Sequence, residues 1–286
     1  MHRVPLAAQT ERGPMKLLEN MNRRQALGAL GQAMAGLTAW LAAPRAESAP
    51  KTAGVSTPPP KEYDATAHRW QMVIDIDKCI GCGLCAQACK TENKVVPKPA
   101  YFRTWVERYI ILKAEPGSGK ARGETLVDSP NGGIDGFPPA TMPKEKILKS
   151  FFVPKLCNHC ENSPCDQACP VGATFRTPDG VVLVDPKYCL GCGFCVQTCP
   201  YGCRFINPIT HTAEKCSLCY HRITRGLKPA CVEACPTGAR AFGDLDNPQQ
   251  NDVIQAFIQK NKVQVLKPHL GTKPCVLYAD LDKEVR

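Results

Sequence analysis

Past residue 43 the 286-residue chain has no apolar stretch long enough to span a bilayer, so its main body is expected to be soluble or peripheral to a membrane. It also lacks a Ser–His–Asp set, a dinucleotide fingerprint and a paired-carboxylate site, which removes the usual sequence grounds for a hydrolase or a nucleotide-dependent enzyme. The nearest approach to a phosphate loop is GSGKA at 117–121. There the Walker spacing is missing, and Ala121 stands where a Ser or Thr is required. A net charge of +10 invites a nucleic-acid reading, but no basic–aromatic stripe or reading helix accompanies it. Of that charge, +3 lies in residues 1–48 and +7 in the remainder.

What the chain has in excess is cysteine, 18 in all. A disulfide scaffold would suit a short secreted chain, and this one is long with the wrong spacing. Sixteen of the cysteines fall into four groups of four. The first, CIGCGLCAQACK at 79–90, holds Cys79, Cys82, Cys85 and Cys89. The second, CNHCENSPCDQACP at 157–170, holds Cys157, Cys160, Cys165 and Cys169. The third, CLGCGFCVQTCP at 189–200, holds Cys189, Cys192, Cys195 and Cys199. The fourth opens with Cys216 and Cys219 and resumes at CVEACP with Cys231 and Cys235. Zinc is the natural competitor, but a zinc site takes two thiols from each of two knuckles and needs no third cysteine two residues on. Nor does it need the prolines, Pro170, Pro200 and Pro236, that follow the last cysteine of groups two, three and four. The spacing of group one is that of a bacterial ferredoxin loop, and iron–sulfur cluster binding is the reading that accounts for all four groups. Four 4Fe–4S cores with their thiolates would contribute a charge of about −8. The basic residues are then compensation for buried anions.

Residues 1–48 read as an export signal. Arg23 and Arg24 precede 18 weakly apolar residues, and a small-residue stretch, AESAP, follows at 46–50. This resembles a twin-arginine signal, which exports folded proteins and so suits a chain that must receive clusters before crossing a membrane. An uncleaved anchor is the alternative, disfavoured by three glycines and Gln32 in the segment. Ala26 stands where an aromatic is often found, and translation is expected to begin at Met15 or Met21.

Residues 49–65 are a Pro-rich linker, and 66–250 the cluster-binding domain. Within it, 69–78 and 180–188 read as strands that each lead into a cysteine group, and 101–113 as an aromatic-rich strand. The Gly/Pro-rich 115–139 reads as a surface loop inside an insertion spanning about 90–156. Residues 251–261 have helical spacing of Val253, Ile254, Phe257 and Ile258, and 263–281 look like a two-strand tail. Together 251–286 are expected to form a docking extension. The fold class is α+β: two ferredoxin-like 4Fe–4S dicluster modules with a long insertion and a C-terminal extension.

The four groups, their order and the long gap within the fourth resemble the iron–sulfur subunits of the dimethyl-sulfoxide-reductase (molybdopterin oxidoreductase) family, over about residues 69–281. The stretch from His211 to Leu245 and the tail VQVLKPHLGTKP point to its tetrathionate-reductase branch. The resemblance implies that each cluster takes three cysteines from one loop and its last from the paired loop. Carried onto this chain, the sets are Cys79, Cys82, Cys85 with Cys235; Cys216, Cys219, Cys231 with Cys89; Cys189, Cys192, Cys195 with Cys169; and Cys157, Cys160, Cys165 with Cys199. It further implies that they are strung out in that order, from a molybdopterin catalytic subunit to a quinol-oxidising membrane subunit. The implied role is a non-catalytic electron-transfer subunit at the outer face of the cytoplasmic membrane, in the periplasm, serving a tetrathionate or related sulfur-oxyanion reductase. The alternatives are a linker in a periplasmic hydrogenase, sulfite-reduction or nitrite-reduction-associated complex, and a free polyferredoxin.

Cys203 reads as a small buried apolar residue and Cys275 as a plain free thiol. His159 is expected to pack or cap its loop, and Trp105 and Tyr109 to pack in a core. Arg204 and Lys215, beside the loops, are placed to raise cluster potentials. An anaerobic preparation is expected to carry about sixteen irons per chain. An iron assay well below that value would argue against four cubanes.

Overall fold

The computed structural model describes residues 59–97, 101–140, 142–260 and 262–285. The leader with Arg23 and Arg24, the start positions Met15 and Met21, and most of the Pro-rich linker lie outside the described residues. Among the described residues no helix is long and apolar enough to cross a membrane.

Strand β1 (Trp70–Asp75) leads into the first cysteine group, whose last two cysteines lie on helix α1 (Leu84–Glu92). Strands β2 (Thr104–Leu112), β3 (Thr125–Asp128) and β4 (Ile147–Leu156) follow before group two. One-turn helix α2 (Pro164–Gln167) sits inside that group and β5 (Thr174–Arg176) leaves it. Strand β6 (Val182–Val184) enters group three, which contains α3 (Phe194–Thr198) and exits as β7 (Phe205–Ile206). Strand β8 (Ala213–Glu214) enters group four, which contains α4 (Tyr220–Ile223) and α5 (Ala230–Glu233) and exits as β9 (Arg240–Asp244). Helix α6 (Pro248–Lys260), β10 (Val263–Gln264) and β11 (Val276–Ala279) come last.

The pairing follows one rule: the strand leaving a cysteine group pairs antiparallel with the strand entering the next. Thus β5 pairs with β6, β7 with β8, and β9 returns to β1. The architecture is a mix of short helices and small sheets built around ferredoxin-type loops.

The sequence of β1 alternates apolar and polar, as for a strand with one wet face, yet all six residues are buried. The reason is its central place in the four-stranded sheet β10-β11-β1-β9. Its polar side chains are satisfied inside: Gln71 Nε2 donates to the Cys275 carbonyl, and the Asp75 carboxylate takes the Lys78 backbone N–H at 3.2 Å. The tail read from sequence as a docking extension supplies β11, which lies parallel to β1 from Met72↔Val276 to Asp75↔Ala279. Ile254 of α6 is fully buried.

The insertion builds a second sheet, β3-β2-β4, with β2 and β4 paired from Thr104↔Leu156 to Leu112↔Ile147. The segment read as a surface loop is therefore interrupted by the edge strand β3. The two sheets share one core, in which Met72, Ile74, Val106, Ile111, Val153 and Tyr278 are almost wholly buried. Tyr278 spans them, its hydroxyl donating to the Pro154 carbonyl on β4 at 3.1 Å. Tyr278→Phe leaves that buried carbonyl unpaired, at a cost of about 1–3 kcal/mol. At about 2–4 °C per kcal/mol for a domain of this size, the thermal midpoint is expected to fall by several degrees with iron content unchanged. An unchanged midpoint would show that this bond does not hold the sheets together.

Candidate metal centres

Each C-x-x-C unit is shaped by one backbone choice. Its third residue is left-handed in all four: Gly81 at φ 71°, His159 at 45°, Gly191 at 67° and Leu218 at 51°. This turns the N–H of that residue back onto the first sulfur, as in His159 N to Cys157 Sγ at 3.5 Å and Leu218 N to Cys216 Sγ at 3.4 Å. Glycine adopts the conformation freely; an L side chain does so at about 1–2 kcal/mol. His159 and Leu218 are held there by burial, at 0 % and 1 % exposure. His159 does more than pack. Its Nδ1 accepts from Val182 N at 3.0 Å, which assigns the ring proton to Nε2, and burial keeps the ring neutral.

Helix α1 sends its two thiols to different places. Cys85, with Cys79, Cys82 and Cys235, lines an enclosed cavity closed by Val106 and Arg240. One turn further, Cys89 lies within electrostatic reach of Cys216, Cys219 and Cys231. Asn93 Nδ2 sits 3.6 Å from the sulfurs of both Cys89 and Cys219. Residues four apart on a helix share a face at about 6 Å separation, so one helix can serve two neighbouring sets. Helix α5, which packs on α1, reciprocates by presenting Cys231, with Cys235 just after it.

The second half repeats the arrangement, with α2 packed on α3. Cys160 lies within electrostatic reach of Cys157, Cys165 and Cys199, and Cys195 of Cys189. Backbone N–H groups address two more sulfurs: Thr174 N to Cys169 Sγ at 3.5 Å and Ala213 N to Cys189 Sγ at 3.3 Å. Cys192 is exposed, and Cys169 is half-buried.

Across the halves, Cys216 lies within reach of Cys157. This departs from the order that the resemblance implies. The set with Cys157 adjoins the set with Cys216, which leaves Cys189, Cys192 and Cys195 at the far end. Cys195 accordingly belongs to a separate small core with Cys165, Val182 and Ala213. Cys82 and Cys192 are the two exposed cysteines, one at each end. Each has bare apolar neighbours: Ile80 (60 % exposed) and Leu84 by Cys82, Leu190 (70 %) and Phe194 by Cys192.

As free thiols the buried cysteines are poor anions. Burial pushes Cys79 and Cys231 up to about 11, and Cys160 and Cys216 to about 12. Binding metal as thiolates must therefore release protons. Cys199 differs: the neighbouring Cys203, through its side chain and backbone N–H, pulls it down to about 5. Cys203 is thus a buried neighbour of a candidate ligand, and its single thiol proton is donated to the Leu156 carbonyl at 3.0 Å. Cys275 is partly buried, its thiol 3.2 Å from the Trp70 carbonyl, and belongs to no group.

Three buried cations stand among the sulfurs. Arg204 Nη2 is 3.0 Å from Cys165 Sγ, and Lys215 Nζ donates to the Cys216 carbonyl at 2.8 Å. The third, Arg240, went unread in the sequence, although CPYGCR (199–204) and CPTGAR (235–240) repeat one pattern. Among the described residues no three His, Cys, Asp or Glu side chains converge tightly enough for one metal ion. The donor set that fits an iron–sulfur group is the cysteine-lined cavity, the N–H groups aimed at sulfur, and the cations.

Gly83, at the N-terminus of α1, is where the insertion meets the first loop. A Cβ there would lie 2.0 Å from the Gly133 carbonyl oxygen, whereas one at Gly193, the matching position before α3, meets nothing within 4 Å. Both have positive φ, 70° and 79°. Gly193→Ala is expected to cost about 1–2 kcal/mol from backbone strain alone. Gly83→Ala should lower the thermal midpoint at least twice as far and lose iron. Equal effects would show that contact with Gly133 is not limiting.

Two family descriptions match the chain: "4Fe-4S dicluster domain" over residues 148–245 and "4Fe-4S binding domain" over residues 72–93. Among curated proteins the chain is similar to a tetrathionate reductase subunit of Salmonella typhimurium, 40% identical over 224 residues, covering 78% of this chain and 77% of the relative. It is similar to the tetrathionate reductase subunit of the same designation from Archaeoglobus fulgidus, 42% identical over 213 residues, covering 74% and 83%. "Protein NrfC" of Escherichia coli is 40% identical over 216 residues, covering 75% and 82%.

Proposed function

We propose that this chain, which belongs to the iron–sulfur subunits of the dimethyl-sulfoxide-reductase (molybdopterin oxidoreductase) family, is a wire of four 4Fe–4S clusters in a periplasmic respiratory complex. The first site is Cys79, Cys82, Cys85 and Cys235. The second is Cys89, Cys216, Cys219 and Cys231. The third along the wire is Cys157, Cys160, Cys165 and Cys199, and the last Cys169, Cys189, Cys192 and Cys195. Bound there, each group would take up and give back single electrons.

The chain supplies the rest. The left-handed C-x-x-C turns aim N–H groups at sulfur, α1 and α5 exchange cysteines across one module, and the buried sheet holds the loops apart. The observation that carries the reading is the gathering of Cys89 with Cys216, Cys219 and Cys231, across more than a hundred residues. A free carrier would gain nothing from two exposed ends with apolar neighbours. The end with Cys82, Ile80 and Leu84 is proposed to face a molybdopterin catalytic subunit. The end with Cys192, Leu190 and Phe194 is proposed to face a quinol-oxidising membrane subunit. Export by the twin-arginine route, through Arg23 and Arg24, belongs to the same proposal.

The names of two relatives favour tetrathionate or a related sulfur oxyanion as terminal substrate of the complex. A linker in another periplasmic respiratory complex is the second reading, favoured by the 40% identity to NrfC. Affinity capture of the tagged chain from gently solubilised native membranes, with molybdenum, tungsten and haem assayed in the eluate, separates the two. Molybdenum or tungsten with a large co-eluting subunit is the expected result. Haem without either metal would move the chain to the second reading.

A further inference from the structure

Among the described residues one buried cation, Arg108, 9 % exposed, pairs with Asp128, and the half-buried Arg103 lies 3.3 Å from Glu214. Three cations break the pattern. Arg240, Lys215 and Arg204 are 3 %, 4 % and 5 % exposed, and among the described residues none has a carboxylate within ion-pair distance. An isolated buried guanidinium or ammonium is too costly to leave uncompensated. Their neutral contacts do not compensate them. Arg240 Nη2 donates to Thr104 Oγ1 at 2.9 Å while Nη1 has no partner. Arg204 Nη1 donates to Thr174 Oγ1 at 3.2 Å while Nε has none. Lys215 Nζ is held by the carbonyls of Val182 and Cys216.

Their positions supply the missing anions. Arg240 lines the cavity of Cys79, Cys82, Cys85 and Cys235, and its charge also favours the thiolate of Cys231 in the adjoining set. Lys215 Nζ donates to the Cys216 carbonyl, and its charge also favours the thiolate of Cys157. Arg204 Nη2 lies 3.0 Å from Cys165 Sγ, and its charge also favours the thiolate of Cys195 in the set beyond. Every junction between successive cysteine sets thus holds one cation. The two arginines come from one repeated device, each the fifth residue after the last cysteine of its group and each held by a threonine hydroxyl.

We infer that Arg240, Lys215 and Arg204 are the counter-charges of the wire, one per junction, and that each raises the reduction potentials of the two clusters it separates more than those of the other two. The inference rests on the four-cluster reading above. A cluster with four thiolates carries about −2 when oxidised and gains one more negative charge on reduction. A fixed cation beside it favours the reduced form, and one placed between two clusters also offsets their mutual repulsion when both are reduced. The interaction weakens as the distance grows, and intervening solvent and salt weaken it further, so the effect is largest for the flanking clusters and smaller for the distant pair.

The test is an EPR-monitored redox titration of the anaerobically purified full chain, with iron and sulfide assayed alongside, for wild type and for Arg240→Gln, Lys215→Gln and Arg204→Gln. Two of the four potentials should fall in each variant, by at least about 59 mV, a tenfold change in the one-electron equilibrium. The pairs should overlap in one pattern: Arg240→Gln and Lys215→Gln share one cluster, Lys215→Gln and Arg204→Gln share another, and the two arginine variants share none. Unmoved potentials, or all four moving equally, at full iron content would overturn the assignment. Where a glutamine variant loads poorly, the charge-keeping Arg240→Lys, Lys215→Arg and Arg204→Lys decide. Restored iron supports a charge role, and equal loss refutes it. A wild-type chain without iron would instead sink the four-cluster reading itself.

Discussion

Sulfur must be brought into the interior and made anionic there, and most features of this structure answer that demand. On the four-cluster reading the thiolates face a low-dielectric core in which their own free pKa values rise well above neutrality. Three devices offset the cost. Backbone N–H groups are turned onto sulfur by left-handed residues, cations are buried without carboxylates, and each cysteine group hands its last thiol to a second site so that no loop carries a whole site alone.

Much of this was legible in the residues. The cysteine groups, the strand that precedes each of groups one and three, and the helix at 251–261 follow from spacing and periodicity. The strand-before-cysteine repeat anticipates the pairing rule, although it does not say that β9 must return to β1. The parts that were hidden depend on distance through space. Arg240 looks like any exposed arginine until its strand is placed against β1. Cys203 reads as filler because nothing local shows that its thiol faces Cys199. The third residue of C-x-x-C is left-handed whether it is Gly81 or Leu218, and the sequence shows the need only where it chose glycine.

The insertion and tail were the least readable. Both looked like additions to a finished ferredoxin domain, and both turn out to be part of its core. Gly133 presses on Gly83 from the insertion, and Tyr278 from the tail reaches β4. Elements that seem optional in a linear reading are what keep the first cysteine loop and the central sheet in register. The junction order has a similar origin: only the proximity of Cys157 and Cys216 shows which set of the second half adjoins the first.

The return of β9 and β11 to β1 makes the chain a nested bracket. The second half, from Cys157 to Cys199, is contiguous, whereas β1 waits for partners at 240–244 and 276–279. Loop closure over such separations is slow compared with local pairing. During synthesis the inner half can therefore form while the outer half is still open, and the outer half closes only after residues 276–279 have emerged from the ribosome. Completion of the first site is thereby a physical record that synthesis has passed β11.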